Sequence, residues 1–296
     1  MELSGIFAPI PTPFRGGELD LTAHRRNLAL WGATRLAGLV VLGSNGEYVF
    51  LDRAEKERLI VETCASAPVG KLIIGGTGCE STRETISLTR LAAGAGAAAA
   101  LVITPHYYKA SMTESALERF YQDVAEASPI PIILYNMPGN TGLNMAAGLV
   151  GRLSQHPNIV GIKDSGGNIV QIAEIIAAVS AGFAVFAGSG SFLYPSLCLG
   201  AVGGTLAVAN IMADECHAIF AAHAGGDAAL ARRLQLNILE VNRAVTSRWG
   251  VAGLKAAMDI LGYAGGEPRL PVLPLQAAER AELAAILARA SCRSVA

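Results

Sequence analysis

The stretch Ile159-Val160-Gly161-Ile162-Lys163-Asp164-Ser165-Gly166-Gly167 decides how this chain is read. A short apolar run leads straight into a lysine and then breaks into turn-forming Asp, Ser and Gly. An apolar run without alternation is what a parallel strand covered on both faces requires. A lysine at the end of such a strand has its stem in dry surroundings and its amine at the mouth of a cavity. Burial disfavours an ammonium, and a neutral amine can attack a ketone carbon. Most lysines at strand ends simply reach water, so the rest of the chain must supply the context.

The same pattern recurs along the chain. Apolar runs stand at Gly5–Ile10, Gly38–Leu42, Lys71–Gly75, Ala98–Thr104, Ile130–Tyr135, Ile159–Lys163, Phe183–Ala187 and Gly203–Val208. Helical patterns separate them: Thr22–Ala33, Asp52–Ala65, Ser81–Ala95, Ser111–Ala127, Met145–Leu153 and Ile169–Val179. Ser81 with Glu84, and Ser111 with Glu114, have the spacing of capping boxes. Strand and helix in eightfold alternation predict an α/β fold, a (β/α)8 TIM barrel over residues 1–225. Residues 226–296 are expected to be a C-terminal helical segment packed on the barrel. A doubly wound open sheet is the alternative, but no GxGxxG follows the first strand.

Composition narrows the functional class. The 296 residues are 52% hydrophobic and 16% charged, with a formal net charge of -1. Such a chain can fill a large core and has apolar surface to spare for an oligomer. Without a Lys/Arg cluster it offers nothing to nucleic acid or an anionic membrane. Residues 175–213 carry no charge, but six glycines and Pro195 interrupt them, which fits two buried strands around a small helix rather than a membrane span. The cysteines at 64, 79, 198, 216 and 292 are scattered and predict a reducing, cytoplasmic setting. Met1 to Gly5 lack the start of a signal or transit segment. The five histidines form no H-x-H or H-x-x-x-H pair, so no metal site is expected.

In a barrel, residues just past the strands share one rim. There stand Gly43-Ser44-Asn45-Gly46-Glu47, Pro105-His106-Tyr107-Tyr108 and Tyr135-Asn136-Met137-Pro138-Gly139-Asn140-Thr141-Gly142, together with the Lys163 turn. A phenol beside an imine can serve as general acid and base if a hydroxyl relays its proton.

As a set these segments resemble the dihydrodipicolinate synthase/N-acetylneuraminate lyase family of class I, Schiff-base aldolases, over nearly the whole chain. The resemblance implies that Lys163 forms the imine and Tyr135 is the acid/base phenol. Ser44 would relay the proton, with Tyr107 completing the relay across a subunit boundary. Asn45, Ser165, Gly188 and Thr205 would line the pyruvate pocket. The family also implies a homotetramer, a dimer of tight dimers, acting on a small 2-oxo acid without a cofactor beyond the imine. Where synthases of this family typically carry an arginine that grips the second substrate's carboxylate, this chain has Asn140, and a neutral amide cannot supply that bidentate pair. Stretches such as Gly78-Cys79-Glu80-Ser81-Thr82 and Leu153-Ser154-Gln155-His156-Pro157 are similar instead to 4-hydroxy-2-oxoglutarate aldolases. Cleavage of that substrate to pyruvate and glyoxylate is therefore the leading expectation. Condensation of pyruvate with aspartate semialdehyde, or another 2-oxo-acid aldolase or dehydratase activity of the family, is the alternative, and a non-catalytic 2-oxo-acid-binding barrel is the reading from another class.

Overall fold

In the computed structural model, which describes residues 3–294, eight parallel strands close into a barrel. They are β1 (Gly5–Pro9), β2 (Gly38–Val41), β3 (Leu72–Gly76), β4 (Ala99–Ile103), β5 (Ile132–Asn136), β6 (Ile159–Asp164), β7 (Ala184–Ala187) and β8 (Gly203–Thr205). Each pairs with its sequence neighbours, and β1 closes the ring by pairing with both β2 and β8. The strands are buried almost throughout because helices cover the outside and side chains fill the inside. The filling includes Phe7, Val40, Ile74, Leu101, Ile133 and Phe186. Phe7 and Phe186 meet edge to face at 5.6 Å.

Most elements fall where the sequence places them, with differences at the ends. The last strand stops at Thr205, and Ala207–Asn210 turns into a 3-10 helix instead of continuing to Val208. The helix expected from Ser111 starts at Glu114. Thr113 caps it by accepting from the Ala116 N–H at 3.2 Å, while Ser111 ends a separate turn. Ser81 does cap its helix, but Glu84 reaches across to Arg53 rather than back to its own cap. The complete capping box is at Asp52 and Glu55. Residues 175–213 resolve into β7, the short helix Leu193–Leu199 and β8, and among the described residues no helix is long and apolar enough to cross a membrane. Met1, Glu2 and Cys292, on which the leader and cysteine expectations partly rest, lie outside the residues whose side chains are described.

Beyond the barrel, helices Ala228–Arg243, Gly250–Ile260 and Ala277–Ser294 follow, with a π-helical turn at Ala244–Arg248 joining the first two. Ile238, Val241, Leu254, Met258, Leu283 and Leu287 enter the same apolar core as the β1 and β2 residues. Polar ties also join this segment to the rim, one of them at the turn after β2. Glu47, buried and in left-handed backbone (φ 56°), forms an ion pair with fully buried Lys255 at 2.5 Å. Glu47 also accepts the Arg269 N–H at 2.8 Å. The Arg269 guanidinium grips both carboxylate oxygens of Glu55. Burial pulls the Lys255 amine below the usual lysine range, and the Glu47 charge opposes that pull.

A left-handed conformation in a non-glycine residue costs about 1–3 kcal/mol and persists only where its surroundings over-determine it. The turn that carries Ser44 and Asn45 is held in that way from the C-terminal side. Glu47→Ala, which strands a buried ammonium, is expected to cost about 3–5 kcal/mol in urea unfolding, whereas Glu47→Leu with Lys255→Met should be near neutral. A loss below about 1 kcal/mol for Glu47→Ala would show that this tie does not brace the turn.

Candidate active site

Register places the two central groups. A bulge on β6 shifts the β5–β6 pairing between Ile132 and Ile133, so that Tyr135 stands opposite Lys163 and Asn136 opposite Asp164. Without that extra residue, pairing would carry Tyr135 to Ile162, whose side chain points to the other face of the sheet. The strand ends are tied by a polar cluster. The Asp164 carboxylate accepts from Asn136 Nδ2 at 2.7 Å and from the Gly166 N–H at 2.9 Å. Asn136 Oδ1 in turn accepts the Met145 N–H.

Tyr135 and Lys163 are both buried, and the Lys163 Nζ lies 4.2 Å from the centre of the phenol ring. The Ser44 and Tyr135 hydroxyls are 3.3 Å apart. Burial pushes the phenol upward, but the Lys163 charge and hydrogen bonding from Ser44, Lys163 and Ser165 outweigh it, so Tyr135 ends below the ordinary tyrosine value. Ser165 is a marginal contributor, since its buried Oγ meets no partner in full hydrogen-bond geometry. Gly188 makes room for that hydroxyl: a Cβ there would lie 2.0 Å from Ser165 Oγ.

These groups open into a cavity of about 480 Å³. Lys163, Tyr135, Ser44, Asn45, Ser165 and Gly188 line it, and Asn140 reaches it from the exposed turn after β5. Two expected residues stand apart. Thr205 is buried on β8 and does not line the cavity, because the chain past it folds into the 3-10 turn and presents Ala207 instead. Tyr107 is not brought to the site within this chain. It is 76% exposed, packs edge to face on Tyr108 and donates its backbone N–H to Glu80. Sequence reasoning missed Ser189, Ser191 and Phe192 after β7, and Val245, Thr246 and Ser247 on the π-helical turn. The stretch Ala244 to Arg248, in sequence one more stretch similar to 4-hydroxy-2-oxoglutarate aldolases without a site role assigned to it, winds as a π-helical turn, a feature frequent at functional sites. Lys163 is the one Lys, Arg, His, Asp or Glu among the lining residues.

The model of the dihydrodipicolinate synthetase family matches residues 2–290. The chain belongs to that family. Similar proteins include the 4-hydroxy-tetrahydrodipicolinate synthase of Methanothrix thermoacetophila, 37% identical over 97% of both chains. Another is the synthase of the same name from Nitratidesulfovibrio vulgaris (strain DSM 19637 / Miyazaki F), 34% identical over 98% of this chain and 99% of the relative. Among solved structures, the dihydrodipicolinate synthase of Thermotoga maritima superposes with a TM-score of 0.94 at 28% identity, over 98% of this chain and 99% of that one. YagE from E. coli K12, solved in complex with pyruvate, gives 0.92 at 27% identity, again over 98% and 99%. Membership of the dihydrodipicolinate synthetase family makes this chain an enzyme, a carbon–carbon lyase of the Schiff-base type. The relatives' names favour the synthase alternative over the 4-hydroxy-2-oxoglutarate cleavage that the sequence put first, and the order of those two readings is reversed accordingly.

If the Lys163 charge is what holds the phenol down, Lys163→Met should move Tyr135 ionisation to higher pH. Ultraviolet titration, with Tyr135→Phe in the same background to isolate the signal, measures this. An unmoved transition would mean that the phenol does not sense the amine.

Proposed function

We propose that this chain forms an imine of pyruvate on Lys163 and makes or breaks a carbon–carbon bond to a small aldehyde at that site. The observation that carries the reading is the buried amine over the Tyr135 ring, with the Ser44 hydroxyl next in line. Nζ in its neutral form attacks the 2-oxo carbon, and the resulting hydroxyl takes a proton relayed through Tyr135 and leaves as water, giving a protonated imine. That cation is an electron sink, so the pyruvate methyl carbon can lose a proton to become an enamine and attack the aldehyde carbon. In reverse, the new bond breaks as a base takes the hydroxyl proton. Tyr135 is the proton shuttle, with Ser44 as its relay and Tyr107 of a neighbouring copy completing it. Asn45 and Ser165, with backbone at Gly188, hold the pyruvate carboxylate. The reading calls for no metal and no cofactor beyond the imine. It carries with it the homotetrameric, cytoplasmic enzyme expected from the sequence, although one similar structure is described as a monomeric dihydrodipicolinate synthase variant.

For the aldehyde, the relatives at 34–37% identity support aspartate semialdehyde, and with it 4-hydroxy-tetrahydrodipicolinate synthase activity. A second reading, cleavage of 4-hydroxy-2-oxoglutarate to pyruvate and glyoxylate, is favoured by Asn140 and by a cavity wall without a guanidinium. Borohydride reduction in the presence of pyruvate should add the three-carbon unit to the Lys163 peptide alone, with EDTA making no difference. Label on any other lysine would end the assignment. Tyr135→Phe should keep that adduct while turnover falls by about 10²–10⁴-fold. Pyruvate consumption with aspartate semialdehyde, compared with pyruvate release from 4-hydroxy-2-oxoglutarate, decides between the two readings by the larger kcat/KM.

A further inference from the structure

On the strand next to the lysine, the turn after β7 brings Ser189 and Ser191 to the cavity wall. Neither hydroxyl is free to turn as it likes. Asn242, fully buried on the helix Ala228–Arg243, donates Nδ2 to Ser191 Oγ at 2.7 Å and to Ser189 Oγ at 3.2 Å. Ser189 Oγ accepts a second bond, from the Ser191 backbone N–H at 3.3 Å, and its own hydrogen is engaged only by a long bond to Ser191 Oγ at 3.5 Å, which a carboxylate can displace. The Asn242 Oδ1 is buried without a partner, facing the Cα of Gly190, where a Cβ would approach it to 2.8 Å. The opposite amide orientation would bury two N–H groups with no acceptor, the costlier arrangement. Gln235 fixes the same turn from the same helix, donating to the Gly190 carbonyl at 2.6 Å and accepting the Tyr194 N–H at 2.8 Å.

A hydroxyl has one hydrogen and two lone pairs. Where an amide donates into its lone pairs, what it has left to offer is its hydrogen. We propose that Asn242 is a positioning residue that sets Ser189 and Ser191 as hydrogen-bond donors, and that this pair holds the carboxylate of the incoming aldehyde. Ser189 stands two residues past Ala187, which pairs with Asp164 beside the lysine, so the donor pair lies one strand over from the imine. Thr246 does not compete, since its hydroxyl donates to the Asn242 carbonyl at 2.6 Å. In a wall where arginine is absent, two oriented hydroxyls supply the recognition that a guanidinium would otherwise give. The assignment rests on the imine reading above but not on which aldehyde acid is the natural one.

The test uses the full-length enzyme with pyruvate and either glyoxylate, which carries the carboxylate, or acetaldehyde, which lacks it. Asn242→Asp keeps the shape but reverses the bonding, because a carboxylate only accepts and the serines must turn their hydrogens toward it. Its KM for glyoxylate should rise about tenfold or more, as expected for lost hydrogen bonds to a charged group, while its KM for acetaldehyde stays within about twofold. Ser191→Ala, at an exposed position, should raise the glyoxylate-to-acetaldehyde KM ratio in the same direction, with urea unfolding confirming that the variant is folded. Equal changes for both aldehydes, or a parent enzyme that takes acetaldehyde as readily as glyoxylate, would overturn the inference. Borohydride trapping with pyruvate alone separates the two failures: an adduct on Lys163 with no carboxylate selectivity defeats only the donor pair, and the lack of an adduct defeats the imine reading itself.

Discussion

The pairing of Tyr135 with Lys163 across β5 and β6 is the constraint on which the rest of this site depends. Two polar groups are buried together near the rim of an apolar barrel, and each alters what the other costs. The lysine nitrogen lies over the phenol ring at 4.2 Å, and the lysine charge together with hydrogen bonding draws the phenol's proton affinity down against its burial. A group that must give and take protons gains from such tuning, because proton transfer is fastest where the affinities of the partners approach one another. The bulge in β6 is therefore more than a local irregularity. One residue fewer would turn the amine away from the phenol and leave a lysine inside the wall.

Around this pair the cavity is polar but almost uncharged, so position rather than net charge does the selecting. The charges that the fold does bury are placed behind the wall. Buried Glu47 with Lys255, and the partly buried pair of Glu55 with Arg269, tie the turn that carries Ser44 and Asn45 and the helix after it to the C-terminal segment. Asn242 and Gln235 do the same for the turn after β7. The C-terminal segment thus has a chemical consequence beyond its apolar packing: two of the rim turns owe their conformation to it.

Much of this was legible in the sequence, and the reasons differ by feature. Parallel strands buried on both faces write themselves as short apolar runs, so the barrel and seven of its eight strands could be read almost to their ends. The Gly203–Val208 run was overextended because Leu206 to Val208 are as apolar in a 3-10 turn as in a strand. Lys163 and Tyr135 stood out only in combination, since a lysine ending an apolar run usually just reaches water; the rim segments taken together, and the family they resemble, supplied the context. Their exact opposition was hidden, since a bulge leaves no mark in composition. The Asn242 and Lys255 contacts span 51 to 208 positions of chain, and no local pattern announces such partners. Tyr107 was expected to act in a neighbouring copy, and its exposed ring leaves that role a matter for the assembly.

A crystal structure of the protein soaked with pyruvate tests the central claim most directly. The account predicts continuous density from the Lys163 Nζ to the 2-carbon of the ligand, with the Tyr135 hydroxyl in hydrogen-bonding reach of the bound molecule and the carboxylate against the Ser44–Asn45 turn. Pyruvate held without a covalent bond, or joined to a different lysine, would contradict it.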